Sequence, residues 1–180
     1  TINDIIDISR IESGQVKVVF KEFKINNKLQ ELYSFFIEET KTKGITLNLF
    51  LDIKIKDFMV VSDDLKIESV LINLIKNAIK FTHKGSVDFG YKIENDEIIF
   101  FVKDTGKGIS EDKLASVFNR FEQADLKLNK THEGSGLGLA ISRSYVEMIG
   151  GKIWLKSKVG VGSEFAFSIP LKLPVRNIDE

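Results

Sequence analysis

The chain has no cysteine and only two histidines among its 180 residues. Without cysteine there is no disulfide framework, no thiolate zinc site and no catalytic thiol, a composition that fits a reducing compartment. Two histidines also disfavour a metal site built from several imidazoles. The chemistry of this chain must therefore come from carboxylates, amides, lysines and the backbone.

Long apolar runs and an excess of one charge are also missing. The longest unbroken apolar run, residues 98–102, is far shorter than the ~20 residues that a membrane-spanning helix needs. The 26 basic and 26 acidic residues cancel, so no general field attracts nucleic acid or anionic lipid. We expect no nucleic-acid partner and no membrane segment in this chain. It begins at Thr1 without a methionine, and we expect it to be a piece of a longer protein.

The remaining composition, 43% apolar and 29% charged residues, is typical of a globular domain. Residues 1–13 predict a short helix with a broad isoleucine stripe, ended by Gly14. A helix this short needs neighbours. We interpret residues 1–14 as the stub of a helical bundle, and a helix packed on its own domain is an equally weighted alternative.

Residues 15–172 predict one domain of mixed strands and helices, followed by a polar tail or linker at 173–180. Without a regular alternation, such elements indicate an α/β fold, a two-layer sandwich of a mixed β-sheet covered on one face by helices. Strands are predicted at 16–23, 45–51, 58–61, 86–93, 97–103, 152–157 and 163–169, and helices at 63–82, 110–117 and 137–149.

One more helix is predicted after the first strand, with Asn26 or Asn27 as its cap and Gly44 after its end near Thr42. Its predicted buried stripe comprises Leu29, Leu32, Phe35 and Phe36. The short helix at 110–117 is predicted to begin with Ser110 as its cap.

The helix at 63–82 has an unusual polar strip. Its core stripe is followed, within about 60° of arc, by two amides and two lysines. Asparagine is a poor interior helix former, so a pair one turn apart calls for a reason. Amide oxygens ligate hard divalent cations and lysine binds phosphate, which indicates magnesium with a polyphosphate. From this helix alone, a solvated face is the favoured alternative. The core stripe is Ile67, Val70, Leu71, Leu74 and Ala78, and the strip is Lys66, Asn73, Asn77 and Lys80.

Five of the thirteen glycines lie in two clusters, DTGKGI at 104–109 and GSGLGL at 134–139. Asp104 ends a predicted strand, where an ionised carboxylate accepts from an exocyclic amine such as that of adenine. The alternative is a turn in which the aspartate bonds its own backbone. The second cluster precedes a helix, whose free amides favour phosphate. Either cluster alone is a weak signal.

Other nucleotide-binding signatures are absent from the sequence. No glycine-lysine pair is followed by serine or threonine, which excludes a P-loop. The dinucleotide pattern requires glycine where Leu139 stands. The HRD and DFG motifs of eukaryote-type protein kinases do not occur.

Taken in order, the asparagine-bearing helix, DTGKGI, FNRF, GSGLGLAIS and GGKIWLKSKVGVGSEFAFSIP resemble the ATP-binding catalytic domain of sensor histidine kinases. That domain has the Bergerat fold of the superfamily shared with gyrase and mismatch-repair ATPases. The resemblance covers nearly the whole chain. DIIDISRIESGQ resembles the end of the second helix of the family's dimerisation and phosphoacceptor domain, which accounts for the stub.

The resemblance implies ATP and Mg2+ as ligands and assigns roles by position. Asn77 would be the metal ligand, Asn73 its partner and Lys80 a phosphate contact, these three forming the catalytic set. Asp104 would bind the adenine amine, and Ser163 would touch the adenine edge. The whole implied nucleotide set is Asn73, Asn77, Lys80, Phe81, Asp104, Gly106, Gly108, Ile109, Gly134, Ser135, Gly136, Leu137, Gly138, Leu139 and Ser163.

Phe118 and Phe121 match the family's F box, which anchors the lid and docks the domain on the phosphoacceptor helices. Plain core aromatics are the alternative. Two departures from the family pattern stand out. Lys66 replaces an arginine, and Gln123 stands where some members have a phosphate-contacting arginine. That contact is then either missing or provided by Lys127 or Lys130.

No phosphoacceptor histidine is present. His132 precedes a glutamate but lies in the lid before Gly134, and His83 is interpreted as a solvated residue at a helix end. The resemblance therefore implies transfer of the ATP γ-phosphoryl to a histidine elsewhere. A Bergerat-fold ATPase is the first alternative, disfavoured because Asn73 stands where its glutamate base would be. A nucleotide-binding module without turnover is the second.

The resemblance also implies partners and a location. The expected partners are the protein's own phosphoacceptor domain and a response-regulator receiver domain, with a homodimeric parent. The chain would be a cytoplasmic domain, and the parent a candidate membrane-bound sensor.

Overall fold

The computed structural model describes residues 2–51, 59–121 and 135–175. Within these ranges the chain forms two sheets and a set of helices. The elements are α1 (Ile2–Glu12), β1 (Lys21–Lys24), α2 (Ile25–Lys43), β2 (Ile45–Phe50), β3 (Met59–Ser62), α3 (Asp64–Phe81), β4 (Gly85–Glu94), β5 (Glu97–Asp104), α4 (Glu111–Leu114), α5 (Gly138–Met148), β6 (Lys152–Lys158) and β7 (Gly162–Pro170).

The main sheet has five strands in the order β2-β4-β5-β7-β6. β2 runs parallel to β4, and the other neighbours are antiparallel. The β4–β5 hairpin turns at Asn95 and Asp96, which both have positive φ as a two-residue type I′ turn requires. Helices pack on one face of this sheet, so the predicted two-layer α/β sandwich is confirmed.

The core lies between the sheet and helices α2, α3 and α5. Phe100 and Phe167 on adjacent strands stack with ring centroids 4.8 Å apart, and each is fully buried. Such a side chain contributes about 1.5–3 kcal/mol by burial. The predicted core stripe of α3 is confirmed, since all its members are buried: Ile67, Val70, Leu71, Leu74 and Ala78.

Helix α3 begins as its sequence predicts. Asp63 is the N-cap, and its side chain accepts a hydrogen bond from the Lys66 amide at 3.1 Å. This cap satisfies one of the free amides of the first turn. The helix ends at Phe81. The residues at its two ends therefore determine where its polar strip lies.

Two predictions near the N-terminus are wrong in detail. Strand β1 begins at Lys21, and residues 15–20 have no regular structure because their backbone bonds side chains of α3 instead. Helix α2 begins at Ile25 without a side-chain cap. Asn26 lies inside it, where its side-chain oxygen accepts from the Tyr91 hydroxyl at 2.8 Å.

The predicted stripe of α2 is confirmed except at Phe35. Leu29, Leu32 and Phe36 are buried, whereas Phe35 is 67% exposed. Adjacent residues lie about 100° apart on a helix, so Phe35 and Phe36 do not share a face. Phe35 contacts Phe36 only edge-on, with ring centroids 4.9 Å apart.

Shorter elements differ slightly from their predictions. Helix α4 ends at Leu114, and Ser110 occupies its N-cap position without a side-chain hydrogen bond. Strand β3 begins at Met59, and Phe58 lies outside the described residues. Helix α1 is present, and the assignment of residues 1–14 to a phosphoacceptor domain stays a prediction.

Candidate nucleotide-binding site

The polar strip of α3 divides into two parts with different environments. Lys66, at the start of the helix, is buried and pairs with Asp63 at 2.8 Å. Asn73, Asn77 and Lys80 are half-buried farther along. The solvated-face alternative therefore does not describe this helix, because none of the four side chains is fully exposed.

Asn73 joins α3 to α5. Its Nδ2 donates to the Ser142 hydroxyl at 2.9 Å, and Ser142 is itself buried. A Cβ at Gly138 would overlap the Asn73 carboxamide. The first turn of α5 therefore lies directly against Asn73, and a side chain at position 138 would displace the Asn73 carboxamide. Ser142 is the last residue of the GLAIS motif, and its contact with Asn73 was not predicted from the sequence.

Replacing Ser142 by alanine is expected to lower the free energy of unfolding by about 1 kcal/mol, because Asn73 loses its acceptor. Urea unfolding measures this difference. Ser144→Ala is the matched control, since the Ser144 hydroxyl donates only to Ala140 in its own helix. An equal loss in both variants would show that the Asn73 contact has no stabilising role.

Asn77 lies one turn beyond Asn73 and is half-buried. Among the described residues, its side-chain amide has no hydrogen-bond partner. An amide oxygen in this state is available to a cation or to a water bound to one.

Phe81 ends α3 and lies between two cations. The ammonium nitrogens of Lys80 and Lys107 lie 5.3 Å and 4.8 Å from its ring centroid. Both distances are within the range of a cation–π interaction. Lys107 comes from DTGKGI, and sequence reasoning assigned it no role. The end of α3 and the first glycine cluster together form a positively charged rim.

Asp104 lies at the end of β5, buried between β4 and β7. Its Oδ1 accepts from the Gly106 amide at 2.8 Å. Burial raises the pKa of this carboxyl above its ordinary value, and hydrogen bonds from the Gly106 and Ser163 amides oppose that rise. The alternative predicted for Asp104, a turn in which the aspartate bonds nearby backbone, is therefore present in part. The same carboxylate also forms part of the wall of the site.

The glycines of the first cluster permit close backbone contact. A Cβ at Gly106 would overlap the Phe81 carbonyl, and one at Gly108 would overlap the Lys158 carbonyl. Gly108 also has φ of +72°, a conformation that other residues adopt at a cost. The loop after Asp104 is thus pressed against both α3 and the β6–β7 hairpin.

A serine pair supports the same wall. The Ser157 and Ser163 hydroxyls lie 2.8 Å apart, and Ser157 accepts from the Ile109 amide at 2.8 Å. The register pairs these two serines across β6 and β7. Ser163 also lies opposite Asp104 across β5 and β7, and its contact with adenine stays a prediction. Ser157 is an additional contact that only the strand register reveals.

The second cluster is described from Ser135 onward. Gly136 has φ of +69°, and its carbonyl accepts from the Phe121 amide at 3.0 Å. Leu137 is buried, and Leu139 packs against the main core. Other predictions for the lid lie outside the described residues, namely Gly134, Gln123, Lys127, Lys130 and the His132 pair.

The two F-box phenylalanines differ in environment. Phe118 packs edge-on against Phe165, with ring centroids 6.2 Å apart. Phe121 is 70% exposed and has φ of +60°. The core-aromatic interpretation therefore describes Phe118 but not Phe121.

Helix α1 lies against the rim of the second cluster. Ile8 forms a small cluster with Leu137 and Ile141. Asp4 accepts from the Ser135 hydroxyl at 2.6 Å. Glu12 and Arg120 form an ion pair beside Phe121. Helix α1 therefore contacts Arg120 on one side and Ser135 and Leu137 on the other side of residues 122–134.

The chain is similar to known proteins in both sequence and fold. Residues 62–173 match the family of histidine kinase-, DNA gyrase B-, and HSP90-like ATPases. The hybrid signal transduction histidine kinase B of Dictyostelium discoideum is 36% identical over 178 residues, which is 96% of this chain and 9% of that protein. The chain thus spans only a small part of such relatives.

Two solved structures show the same fold. Full-length ShkA in complex with AMPPNP has a TM-score of 0.85 and 26% identity, covering 97% of this chain and 36% of that one. The histidine kinase ThkA in complex with the response regulator protein TrrA has a TM-score of 0.73 and 27% identity, covering 93% of this chain and 47% of that one. The chain belongs to the histidine kinase-, DNA gyrase B-, and HSP90-like ATPase family, as an ATP-binding domain of the sensor histidine kinase type.

Proposed function

We propose that this chain binds ATP with magnesium and transfers the γ-phosphoryl group to a histidine outside these 180 residues. The observation that supports this most is the course of α3. The helix contacts the first glycine cluster at Phe81 and the second through Asn73. These residues are about 12 Å apart along the helix axis, so one rigid element borders both ends of the nucleotide.

Asp104 marks the adenine end. A carboxylate has about four lone-pair sites, and the Gly106 and Ser163 amides use two of them. Acceptor capacity remains for the exocyclic amine of adenine. Phe81 and Ile109 would border the base, since both lie next to this loop.

Asn77 and Lys80 mark the phosphate end. Within the described ranges, no group of three or more His, Cys, Asp or Glu could hold a metal ion. A site with one protein amide suits Mg2+, which keeps waters and takes further ligands from phosphates. When bound, the ion neutralises charge on the phosphate oxygens. Lys80 would add a second positive charge there.

The reaction breaks the bond between the γ-phosphorus and its bridging oxygen on ADP and forms a phosphorus–nitrogen bond to the imidazole, which loses a proton. The residues of this chain contribute by positioning and by charge stabilisation. His83 is exposed beyond the end of α3 and has no hydrogen bond or ion pair among the described residues. The acceptor must therefore come from the phosphoacceptor domain.

The ATPase alternative has less support. Its catalytic base would stand at Asn73, whose amide donates to Ser142 and does not accept a proton from water. Hydrolysis should accordingly be slow. A binding module without turnover is separated from a kinase only by experiment.

The structure of ThkA in complex with a response regulator supports a receiver domain as the group that accepts the phosphoryl from the phosphorylated histidine. We propose further that the parent protein is homodimeric through its helical domain, that residues 1–14 are the end of that domain, and that this chain lies in the cytoplasm. Within the described residues, no helix combines the length and hydropathy needed to cross a membrane.

The isolated chain is expected to bind ATP with magnesium and yet acquire no acid-labile phosphate, because it lacks the acceptor. Radiolabelled ATP followed by acid treatment measures this. Adding the parent's helical phosphoacceptor domain should produce label on that domain. Label on the isolated chain would contradict the proposal, and binding without any transfer to the added domain would favour the binding module.

A further inference from the structure

The segment 15–20, between α1 and β1, is held by two side chains from the beginning of α3. The Val19 amide donates to Oδ2 of Asp63 at 2.9 Å. The Lys66 ammonium donates to the Lys17 carbonyl at 2.7 Å. One carboxylate and one ammonium thus bind a backbone donor and a backbone acceptor two residues apart.

Asp63 and Lys66 also bind each other and are both buried. The Lys66 ammonium lies 2.8 Å from Oδ2 of Asp63, and the exposed fractions of the two residues are 3% and 8%. Burial alone would raise the pKa of Asp63, but the Lys66 ammonium and the Val19 and Lys66 amides lower it below its ordinary value. The Lys66 ammonium further lies 5.7 Å from the ring centroid of Tyr145 on α5.

A buried ion pair is weak evidence of stabilisation, because apolar residues of similar volume often serve as well. An apolar pair at these positions could not bind the Lys17 carbonyl and the Val19 amide of the segment 15–20. The contacts are to backbone atoms, so they set the position of the segment whatever its side chains are.

The segment carries α1, whose own attachment is slight. Of its residues only Ile8 is buried, while Ile2 and Ile5 are 75% and 59% exposed. Its ion pair between Glu12 and Arg120 is exposed to solvent, where such pairs contribute little, and its hydrogen bond between Asp4 and Ser135 is only partly buried. The position of α1 against the second glycine cluster therefore depends on its connection at 17–19.

We propose that the Asp63–Lys66 pair is a latch that fixes the connecting segment to the start of α3 and thereby holds α1 against the second glycine cluster at Ser135 and Leu137. Because α3 also carries Asn73 and Asn77, the latch joins the position of α1 to the helix that borders the nucleotide. The latch itself is independent of phosphoryl transfer. The latch would also fix the position of the phosphoacceptor helix relative to the ATP site, and this consequence rests on the proposed function.

Spin-label distances test the latch, and the cysteine-free sequence makes the labelling clean. Cysteines replace the exposed residues Ser9 on α1 and Lys156 on β6. The doubly labelled chain with Lys66 unchanged is expected to give one narrow distribution of distances between the two spin labels. Adding Lys66→Met should broaden it, and ATP affinity should stay within about twofold because no residue of the site changes. The readout needs no nucleotide, so failure of the kinase proposal does not affect it.

Lys28→Met is the matched control. Lys28 pairs with Glu68 and Asp64 at the same end of α3 but has no contact with Lys17 or Val19 among the described residues. The control is expected to leave the distribution narrow. The latch would be overturned if the distance distribution were equally narrow in Lys66→Met, in Lys28→Met and in the labelled chain without either substitution.

Hydrogen exchange of the unmodified chain keeps the proposal testable if Lys66→Met does not fold. The Val19 amide is expected to exchange at least about tenfold more slowly than the Val16 amide, because Val19 is bonded to Asp63. Asp63→Asn keeps an acceptor for Val19 but removes the ion pair, and it should raise that rate. A Val19 amide that exchanges as fast as its neighbours in the unmodified chain would contradict the latch.

Discussion

Asn77→Ala is expected to abolish the magnesium-dependent part of ATP binding and, with it, labelling of an added phosphoacceptor domain. The Asn77 amide is the oxygen ligand that we assign to the metal, and alanine provides none. Stabilisation of phosphate charge by a bound ion is worth several kcal/mol, so the loss should exceed about 100-fold. Calorimetric titration with ATP, with and without magnesium, measures it.

The fold should survive this change. Asn77 is half-buried and has no side-chain partner among the described residues, and alanine is the better helix former by a few tenths of a kcal/mol. Lys76→Ala is the matched control, because Lys76 is the exposed neighbour on the same helix. If Asn77→Ala kept its full magnesium dependence, the assignment of the metal to this amide would fail.

Asp104→Asn is expected to weaken ATP binding by about 1.5–3 kcal/mol, the value of a hydrogen bond to a charged group. That range corresponds to about 10- to 100-fold in affinity. The contact to the Gly106 amide needs only an acceptor, so the amide replacement keeps the loop in place. Competition between ATP and GTP is the decisive measurement. A variant that preferred ATP over GTP as strongly as before would show that Asp104 does not recognise adenine.

The same substitution should stabilise the nucleotide-free chain at neutral pH. Burial raises the pKa of Asp104, so the folded state binds a proton more readily than the unfolded state. The free energy of unfolding therefore falls as pH rises from the ordinary pKa through the raised one, and the penalty persists above it. Asparagine carries no charge and avoids this penalty. Urea unfolding near neutrality and again near pH 3 should show an advantage for Asp104→Asn only at the higher pH.

A control at an exposed carboxylate separates this effect from general charge repulsion. Asp112 lies in the first turn of α4 and is exposed, so Asp112→Asn removes one negative charge outside the site and should leave ATP affinity unchanged. If Asp104→Asn were less stable than the parent chain near neutrality, burial of the carboxylate would not be costly here.

Helix α3 could be predicted almost completely from its own residues. A capping aspartate, a stripe of apolar residues at helical spacing and a following break are local signals. They sufficed to place Asn73, Asn77 and Lys80 on one edge. The β4–β5 hairpin was predictable for the same reason, since its turn depends on two residues that tolerate positive φ.

Predictions failed where the decisive partner is distant in sequence. The first five residues of the strand predicted at 16–23 are not strand, because Lys17 bonds to Lys66 and Val19 bonds to Asp63, each more than forty positions away. An alternating pattern does not show which groups will compete for a backbone. Phe118 and Phe121 likewise belong to one motif, but only packing against Phe165 separates a core residue from an exposed one.

By itself, the sequence determined the fold class, the family and the two glycine clusters, since these depend on local patterns and their order along the chain. Only the tertiary structure decided how the clusters serve one site. It placed Gly106 against Phe81 and Gly138 against Asn73, paired Asn73 with Ser142, and set Asp104 opposite Ser163 by strand register. Each of these contacts joins residues that are distant in sequence, and a contact of that kind exists only once the sheet and helices have packed.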